Sequence, residues 1–327
     1  MIFVKVLVTA TSFRPDHPTP ALERLAQFAD EVVYNPYGRP LTEEELIPLL
    51  ADCDGYIAGL DTVTEKVIAA CGKLKVISRY GAGVDRVDIA AARAKGIAVC
   101  NTPGANAQAV ADLALGLMLC AARKLPMLDR KTKSGEWVRS TGIELYGKSI
   151  GILGLGAIGK SVAKRAQGFS MRVLAHDPYL DEQYAAQNHI TPCSFADLIK
   201  EAQVISLHLP LNAQTKHIIS REVMQSMQPG AIIINTARGG LIDEDAAYEL
   251  LKSGHLGGLG MDAYEVEPPV QSPLFELDQV VLCPHTGSHT HEATVNMANM
   301  SVANLIDVLS GRDCPYTVSI PHPAVQI

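Results

Sequence analysis

The chain has 327 residues, 47% of them apolar, which is enough for two domains with buried cores. Its net charge of −7 comes without a basic block, which argues against nucleic acid as the main partner. Seven cysteines are scattered without a Cys-x-x-Cys pair, the usage of reduced thiols in a cytoplasmic protein rather than of a disulfide framework.

The N-terminal run Met1–Val8 reads as a first strand, over Val4–Thr9, because it lacks the basic region and cleavage site of a signal peptide. Helix and strand patterns then alternate: helix Pro20–Ala29, strand Glu31–Tyr34, helix Thr42–Leu50, strand Gly55–Ala58, helix Thr64–Cys71, strand Leu74–Ser78, helix Ile89–Lys95 and strand Ala98–Cys100. Several helices have Thr or Asp at or just before their start, where an N-cap oxygen is needed. The most apolar helix candidate, Ala105–Ala122, contains Asn106, Gln108 and Asp112, so it reads as a buried helix rather than a membrane span. A second series of strands follows at Ile150–Leu153, Arg172–His176, Val204–His208, Ala231–Asn235, Gly257–Asp262 and Val280–Cys283, before a last helix at Glu292–Ser310. Strands separated by helices predict parallel sheets covered on both faces. The expected fold is therefore α/β, with two doubly wound, Rossmann-like parallel-sheet domains and an interdomain cleft. The expected domains are 1–102 with 289–327 and, between them, 103–288. The Ala105–Ala122 helix would cross between them and the last helix would return to the first. Ligands of open α/β sheets bind beyond the carboxyl ends of the strands, which predicts a site in the cleft, where hinge closure excludes water.

Gly151-Ile152-Leu153-Gly154-Leu155-Gly156-Ala157-Ile158-Gly159-Lys160 reads as a strand entering Gly-x-Gly-x-x-Gly and then a helix. Gly154 permits the tight turn, Gly156 lets a pyrophosphate approach the backbone, and Gly159 lets the helix pack close. The phosphates would meet the amides of Gly156, Ala157, Ile158 and Gly159 at the positive end of the helix. A second strand ends on Asp177, close to the spacing of the acid that accepts from both ribose hydroxyls and repels a 2′-phosphate. This predicts NAD rather than NADP; the plainer reading of Asp177-Pro178 is a turn opening.

Hydride transfer needs an acid/base beside the reacting oxygen and a cation for an anionic substrate. Arg238 follows the strand ending at Asn235, and its planar fork suits a carboxylate, although an interdomain salt bridge would also explain it. His285 follows Val280–Pro284, and the ordinary histidine pKa near 6.5 suits proton exchange with a 2-hydroxyl or 2-keto oxygen. A carboxylate against that ring would fix its tautomer, and both Glu265 and Glu267 lie in the loop after Asp262; sequence physics alone does not choose between them. His285, His289 and His291 fall close together, but no further ligand completes a metal set, so no metal is expected. His208 ends the strand Val204–His208 and is expected to pack near the cofactor.

With these residues in view, the chain resembles the NAD-dependent D-isomer-specific 2-hydroxyacid dehydrogenase family, on the branch of the phosphoglycerate dehydrogenases. The resemblance runs over nearly the whole length. It is carried by Arg79-Tyr80-Gly81-Ala82-Gly83-Val84-Asp85, Asn101-Thr102-Pro103-Gly104, Gly154–Gly159 with Asp177, Leu209-Pro210-Leu211 with Thr215, Asn235-Thr236-Ala237-Arg238-Gly239, Asp262 to Glu267-Pro268, and Cys283-Pro284-His285-Thr286-Gly287. It implies that His285 is the acid/base, that Glu267, the acid directly before proline, pairs with it, and that Arg238 holds the substrate carboxylate. It also implies that Leu209, Pro210, Thr215, Thr236, Ala237, Arg238, Asp262, His285 and Gly287 line the cofactor, with Asp262 and the Thr236–Arg238 turn beside the nicotinamide. In the other domain, Tyr80, Gly81, Ala82 and Gly83 would present backbone amides to the carboxylate. The first domain would then bind substrate and the second NAD. The substrate would be a small 2-hydroxy or 2-keto acid of the hydroxypyruvate/glyoxylate or 3-phosphoglycerate type.

One departure concerns the phosphate. Where phosphoglycerate-type relatives have an Arg-Ser pair, this chain reads Gly59-Leu60-Asp61, and an acid beside a phosphate is unfavourable. Arg79 is the candidate to compensate. The short run after the last helix leads to the expectation of no C-terminal regulatory domain. A homodimer is expected by resemblance, with modest support from the nearly all-apolar Ala105–Ala122. Corepressors resembling this family supply the alternative, an NADH-sensing interaction protein with little turnover.

Overall fold

The computed structural model describes residues 3–16 and 19–318. They fall into two compact units, one made of the chain up to Asn106 together with the chain from His289 on, the other of Ala107–Ser288.

In the first unit the strands and helices alternate as β1 Lys5–Val8, α1 Pro20–Phe28, β2 Glu31–Tyr34, α2 Glu43–Leu50, β3 Gly55–Ala58, α3 Glu65–Ala70, β4 Val76–Arg79, α4 Ile89–Ala94 and β5 Ala98–Cys100. Thr19, Thr42, Thr64 and Asp88 cap α1 to α4 through side-chain oxygens that accept the amide of the third helical residue. All strand pairs are parallel, in the order β2-β1-β3-β4-β5. Side chains alternate between two buried layers. Leu7, Tyr56, Ile77 and Val99 face α2 to α4, whereas Val6, Val8, Ile57 and Val76 pack with Leu22 and Leu25 of α1. The second layer is completed from far along the chain by Ala298, Val302, Leu305 and Ile306.

The second unit begins with α5 Ala107–Arg123 and α6 Leu125–Lys133 and continues through β6 Ser149–Leu153, α7 Ala157–Gly168, β7 Arg172–His176, α8 Glu182–Gln187, β8 Ile190–Pro192, α9 Phe195–Glu201 and β9 Val204–Leu207. It closes with α10 Arg221–Ser226, β10 Ala231–Asn235, α11 Glu244–Lys252, β11 Leu256–Met261 and β12 Val280–Leu282. The long α12, His291–Leu309, belongs to the first unit and supplies its late core residues. The second sheet is parallel throughout, in the order β12-β11-β10-β9-β6-β7-β8. One face carries α5 and α7 over Ile150, Ile152, Val173, Ile232 and Ile234; the other carries α9 and α11 over Leu153, Ile205, Ile233 and Leu259. Burial on both faces is why β6, β9 and β10 read as unbroken apolar runs.

The helices between the later strands are given no bounds by the sequence reading, and two further elements escape it. β8 is three residues long and ends on Pro192, a residue tolerated only because β8 is an edge strand. α6 is polar and buries only Met127. The fourth strand also runs further than Leu74–Ser78: Arg79 is its last residue and is buried.

The carboxyl edge of the first sheet corrects the expectation for Asp61 and Arg79. Asp61 is 1% exposed and accepts from Leu41 N at 2.6 Å, from Tyr56 Oη at 2.9 Å and from Thr9 Oγ1. It is an internal anchor joining β1, β3 and the approach to α2, not an acid aimed at a ligand. The Arg79 guanidinium donates to the carbonyls of Ala58 (2.8 Å), Gly59 and Gly83 (3.0 Å), so it braces the same loops. Asp61→Ala leaves buried donors without their acceptor and is expected to cost on the order of 3 kcal/mol. A urea midpoint equal to that of the native chain would refute this account.

Candidate active site

A parallel sheet delivers every strand's carboxyl end to one edge, and the second unit places its predicted chemistry there. Along that edge β12 leads to His285, β11 to Asp262, β10 to Arg238, β9 to His208, β6 to the glycine turn and β7 to Asp177. The strands carrying Arg238, Glu267 and His285 are successive in the chain and hydrogen-bonded neighbours in the sheet.

Each glycine of the turn has its own reason. Gly154 sits at φ +95°, and a Cβ there would lie 2.7 Å from the His208 carbonyl oxygen. A Cβ on Gly159 would come within 2.1 Å of the Gly154 carbonyl oxygen, so α7 closes directly onto the turn. Beside Gly156 a Cβ would meet nothing within 4 Å, and no side chain caps the helix. The first intrahelical amide is that of Lys160, bonded to Gly156 O at 2.9 Å, which leaves those of Ala157, Ile158 and Gly159 for an anion. Asp177 does two jobs. Its Oδ2 accepts from Leu155 N at 2.7 Å and its Oδ1 from Tyr179 N at 2.8 Å, so it braces both the glycine turn and its own turn. A carboxylate has lone pairs beyond these two, which a pair of ribose hydroxyls can use.

The catalytic candidates are brought together by backbone contact. His285 Nδ1 lies 2.8 Å from Glu267 Oε1, with the two side chains 26% and 18% exposed. The same Oε1 accepts from Tyr264 N at 3.2 Å, and Tyr264 Oη donates to Cys283 O at 2.8 Å, tying the glutamate loop to the histidine loop. His285 itself is at φ +50°, an uncommon conformation for a residue with a Cβ. The turn after β10 is clamped by Asn235, which is fully buried: its Oδ1 accepts from Ala237 N at 3.0 Å and its Nδ2 donates to Arg238 O at 2.8 Å. Gly239 follows, and a Cβ there would fall 1.8 Å from the Tyr264 carbonyl carbon. The turn carrying Arg238 therefore touches the loop carrying Glu267, main chain to main chain. Arg238 Nη1 donates to Ala237 O at 2.7 Å.

Several of the residues expected at the cofactor also brace their own loops. Asp262, 2% exposed, accepts from Thr286 N at 2.7 Å through Oδ1 and from Gly287 N at 2.8 Å through Oδ2. Both of its oxygens, and the Gly287 amide, thus hold the loop that carries His285. Burial pushes the Asp262 carboxyl up from its usual range, and the two amides partly offset this. Thr215 is buried: its hydroxyl donates to Pro210 O at 2.6 Å and accepts from Asn212 N at 2.9 Å, shaping the loop. Leu209 joins the core, while Pro210 is exposed. In contrast, three buried polar atoms at strand ends have no partner within the described chain: His176 Nε2, His208 Nδ1 and Thr236 Oγ1. Orphaned polar atoms along this edge, with an uncapped helix and the open space at Gly156, fit a polar dinucleotide. The loop expected to bind substrate lies after β4 in the first unit. There Tyr80 N donates to Ala58 O at 3.0 Å and Gly81 N to Thr102 Oγ1 at 3.0 Å, leaving Ala82 and Gly83 as the amides that no backbone carbonyl engages. Among the described residues, no group of three or more His, Cys, Asp or Glu side chains could hold a metal ion, and no helix is long and apolar enough to cross a membrane.

Burial pushes the His208 imidazole down to about 3. An unfolded histidine takes up a proton near pH 6.5, so as the pH falls from there to about 3 this group lowers stability by ~1.4 kcal/mol per unit. His208→Gln, which keeps a donor toward Ser206, is expected to flatten stability against pH across that window by one proton's worth. An unchanged slope in urea titrations would contradict this. Gly159→Ala is expected to weaken NADH binding by about tenfold or more, because its methyl cannot clear the turn; unchanged fluorescence titrations would contradict that.

Residues 115–287 match the family described as D-isomer specific 2-hydroxyacid dehydrogenase, NAD binding domain. The D-3-phosphoglycerate dehydrogenase of Methanocaldococcus jannaschii is 42% identical over 98% of this chain and 60% of its own length. The chain thus spans little more than half of the phosphoglycerate dehydrogenases it matches. The hydroxypyruvate reductase of Thermotoga maritima is 44% identical over 77% of this chain and 84% of its own. A solved glyoxylate reductase from Paecilomyes thermophila superposes with a TM-score of 0.84 at 31% identity, covering 95% of this chain and 97% of that one. The chain belongs to the family of D-isomer specific 2-hydroxyacid dehydrogenases, and its cofactor is NAD.

Proposed function

We propose that the protein interconverts a D-2-hydroxy acid and its 2-keto acid, with NAD as the hydride carrier. The observation that carries this is the His285–Glu267 pair at 2.8 Å, on a loop packed against the turn of Arg238. With Nδ1 tied to Glu267, Nε2 is the ring nitrogen left to exchange a proton with the substrate oxygen. In reduction, protonated His285 donates to the carbonyl oxygen; in oxidation, neutral His285 takes the hydroxyl proton. The bound nicotinamide supplies or accepts the hydride at C2. Arg238 holds the carboxylate in a bidentate fork and favours negative charge developing on the oxygen. Glu267 keeps the ring oriented and balances the imidazolium charge. The glycine turn, Asp177 and the Thr236–Ala237 turn hold the dinucleotide in this proposal. The Tyr80–Gly83 segment binds substrate through the amides of Ala82 and Gly83.

Hydroxypyruvate, glyoxylate and 3-phosphoglycerate-type acids all fit the reaction. The commitment of Arg79 to backbone carbonyls favours the unphosphorylated acids. Homodimer assembly is part of the proposal, supported by the exposed apolar side chains of Trp137, Tyr146 and Leu125 beyond α5. A cytoplasmic location is supported by its free cysteines.

NADH oxidation with hydroxypyruvate, glyoxylate, pyruvate and phosphohydroxypyruvate tests the reading; turnover is expected with at least one. His285→Ala is expected to lower kcat by about 10²–10⁴-fold with little change in NADH affinity. Tight NADH binding without turnover on any acid would replace the enzyme with an NADH sensor acting through partners.

A further inference from the structure

Glu265, two residues before Glu267, has a histidine of its own. Its Oε1 lies 2.5 Å from His217 Nε2. His217 comes from the segment before α10, far from either catalytic loop in sequence, and is held at φ +50°. Its amide donates to Gly240 O at 2.8 Å, and Ile219 N donates to Leu241 O at 3.0 Å, so this segment is laced onto the turn that begins with Arg238. On the other side, Glu265 N donates to Glu244 Oε1 at 2.7 Å, at the start of α11. Burial raises the Glu244 carboxyl, the Glu265 amide partly offsets this, and the neighbouring Glu265, Asp245 and Glu267 carboxylates raise it further. The glutamate loop is therefore fixed by Gly239 from below, by Glu244 at its backbone and by His217 at its side chain.

At 38% exposure for each partner, a contact of this kind contributes at most about 1 kcal/mol, so overall stability is not its main effect. Its geometry says more, because it joins two segments whose relative placement decides where the Glu267 carboxylate sits. A displacement of about 1 Å in such a support can cost up to ~100-fold in rate. We propose that His217 and Glu265 are positioning residues: their pair ties the turn carrying Arg238 to the loop carrying Glu267 and so holds the Glu267 carboxylate on Nδ1 of His285. The inference rests on the proposed role of His285, but its test does not require turnover.

Ring-nitrogen NMR of ¹⁵N-histidine-labelled protein, with the His285 signals assigned by their loss in His285→Gln, reports which nitrogen carries the proton. The neutral ring is expected to carry it on Nδ1 in the native chain and to lose that preference in Glu267→Gln. His217→Ala is expected to lose it in part and His217→Gln, which restores a donor toward Glu265, to regain it. Under turnover, His217→Ala should lower kcat about tenfold with the KM for NADH unchanged. Combined with Glu267→Gln, it should add nothing further. Glu265→Ala breaks the same clamp from the other partner. Either His217→Ala or Glu265→Ala binding NADH normally with an unaltered His285 tautomer overturns the proposal, as does a full tenfold loss of kcat persisting in the Glu267→Gln background. A native chain inactive on every 2-keto acid would overturn the proposed reaction, while the tautomer measurement would still decide the clamp.

Discussion

A parallel sheet has one productive edge, and the organisation of this protein follows from that constraint. Strands that all point the same way present their terminal carbonyls, the loops that follow them and the amino ends of the next helices on a single side. The seven-stranded sheet follows chain order except where β9 pairs with β6. β10, β11 and β12 stand side by side with Arg238, the Asp262–Glu267 loop and His285. β6 and β7 stand together with the glycine turn and Asp177, and β9 separates the two groups. The proposed acid/base chemistry and the proposed dinucleotide cradle thus occupy neighbouring stretches of one edge.

Precision within that edge comes from backbone proximity more than from side-chain attraction. Gly159 and Gly239 are places where another main chain occupies the volume of a Cβ. Asp262 acts on the same scale: its two oxygens hold consecutive amides, which fixes the loop in which His285 keeps a left-handed conformation. Groups of this kind gain little net free energy apiece, yet they leave few alternative positions for the side chains they carry.

Buried polar groups are handled in two ways. In the first, Asp61 and Arg79 are internal struts, their charges engaged by hydroxyls, amides and carbonyls. In the second, His176, His208 and Thr236 each leave a sealed polar atom without a partner in the chain. Unsatisfied groups are costly to bury, so their concentration along one edge marks where a polar ligand completes the structure.

Much of this was legible in the amino-acid sequence. Alternating apolar runs and capped helices determined two parallel α/β sheets, and the spacing of Gly154, Gly156, Gly159 and Asp177 determined the kind of cofactor, because those positions answer to local geometry. Resemblance rather than spacing selected Glu267 over Glu265. Only the tertiary structure decided that Glu265 serves His217, that Asp262 and Thr215 are supports, and that Asp61 is buried away from any ligand. A carboxylate looks the same in sequence whether it meets solvent, a substrate or two amides. Its role depends on which distant segments the sheet order brings within hydrogen-bonding distance, and nothing in the local pattern encodes that.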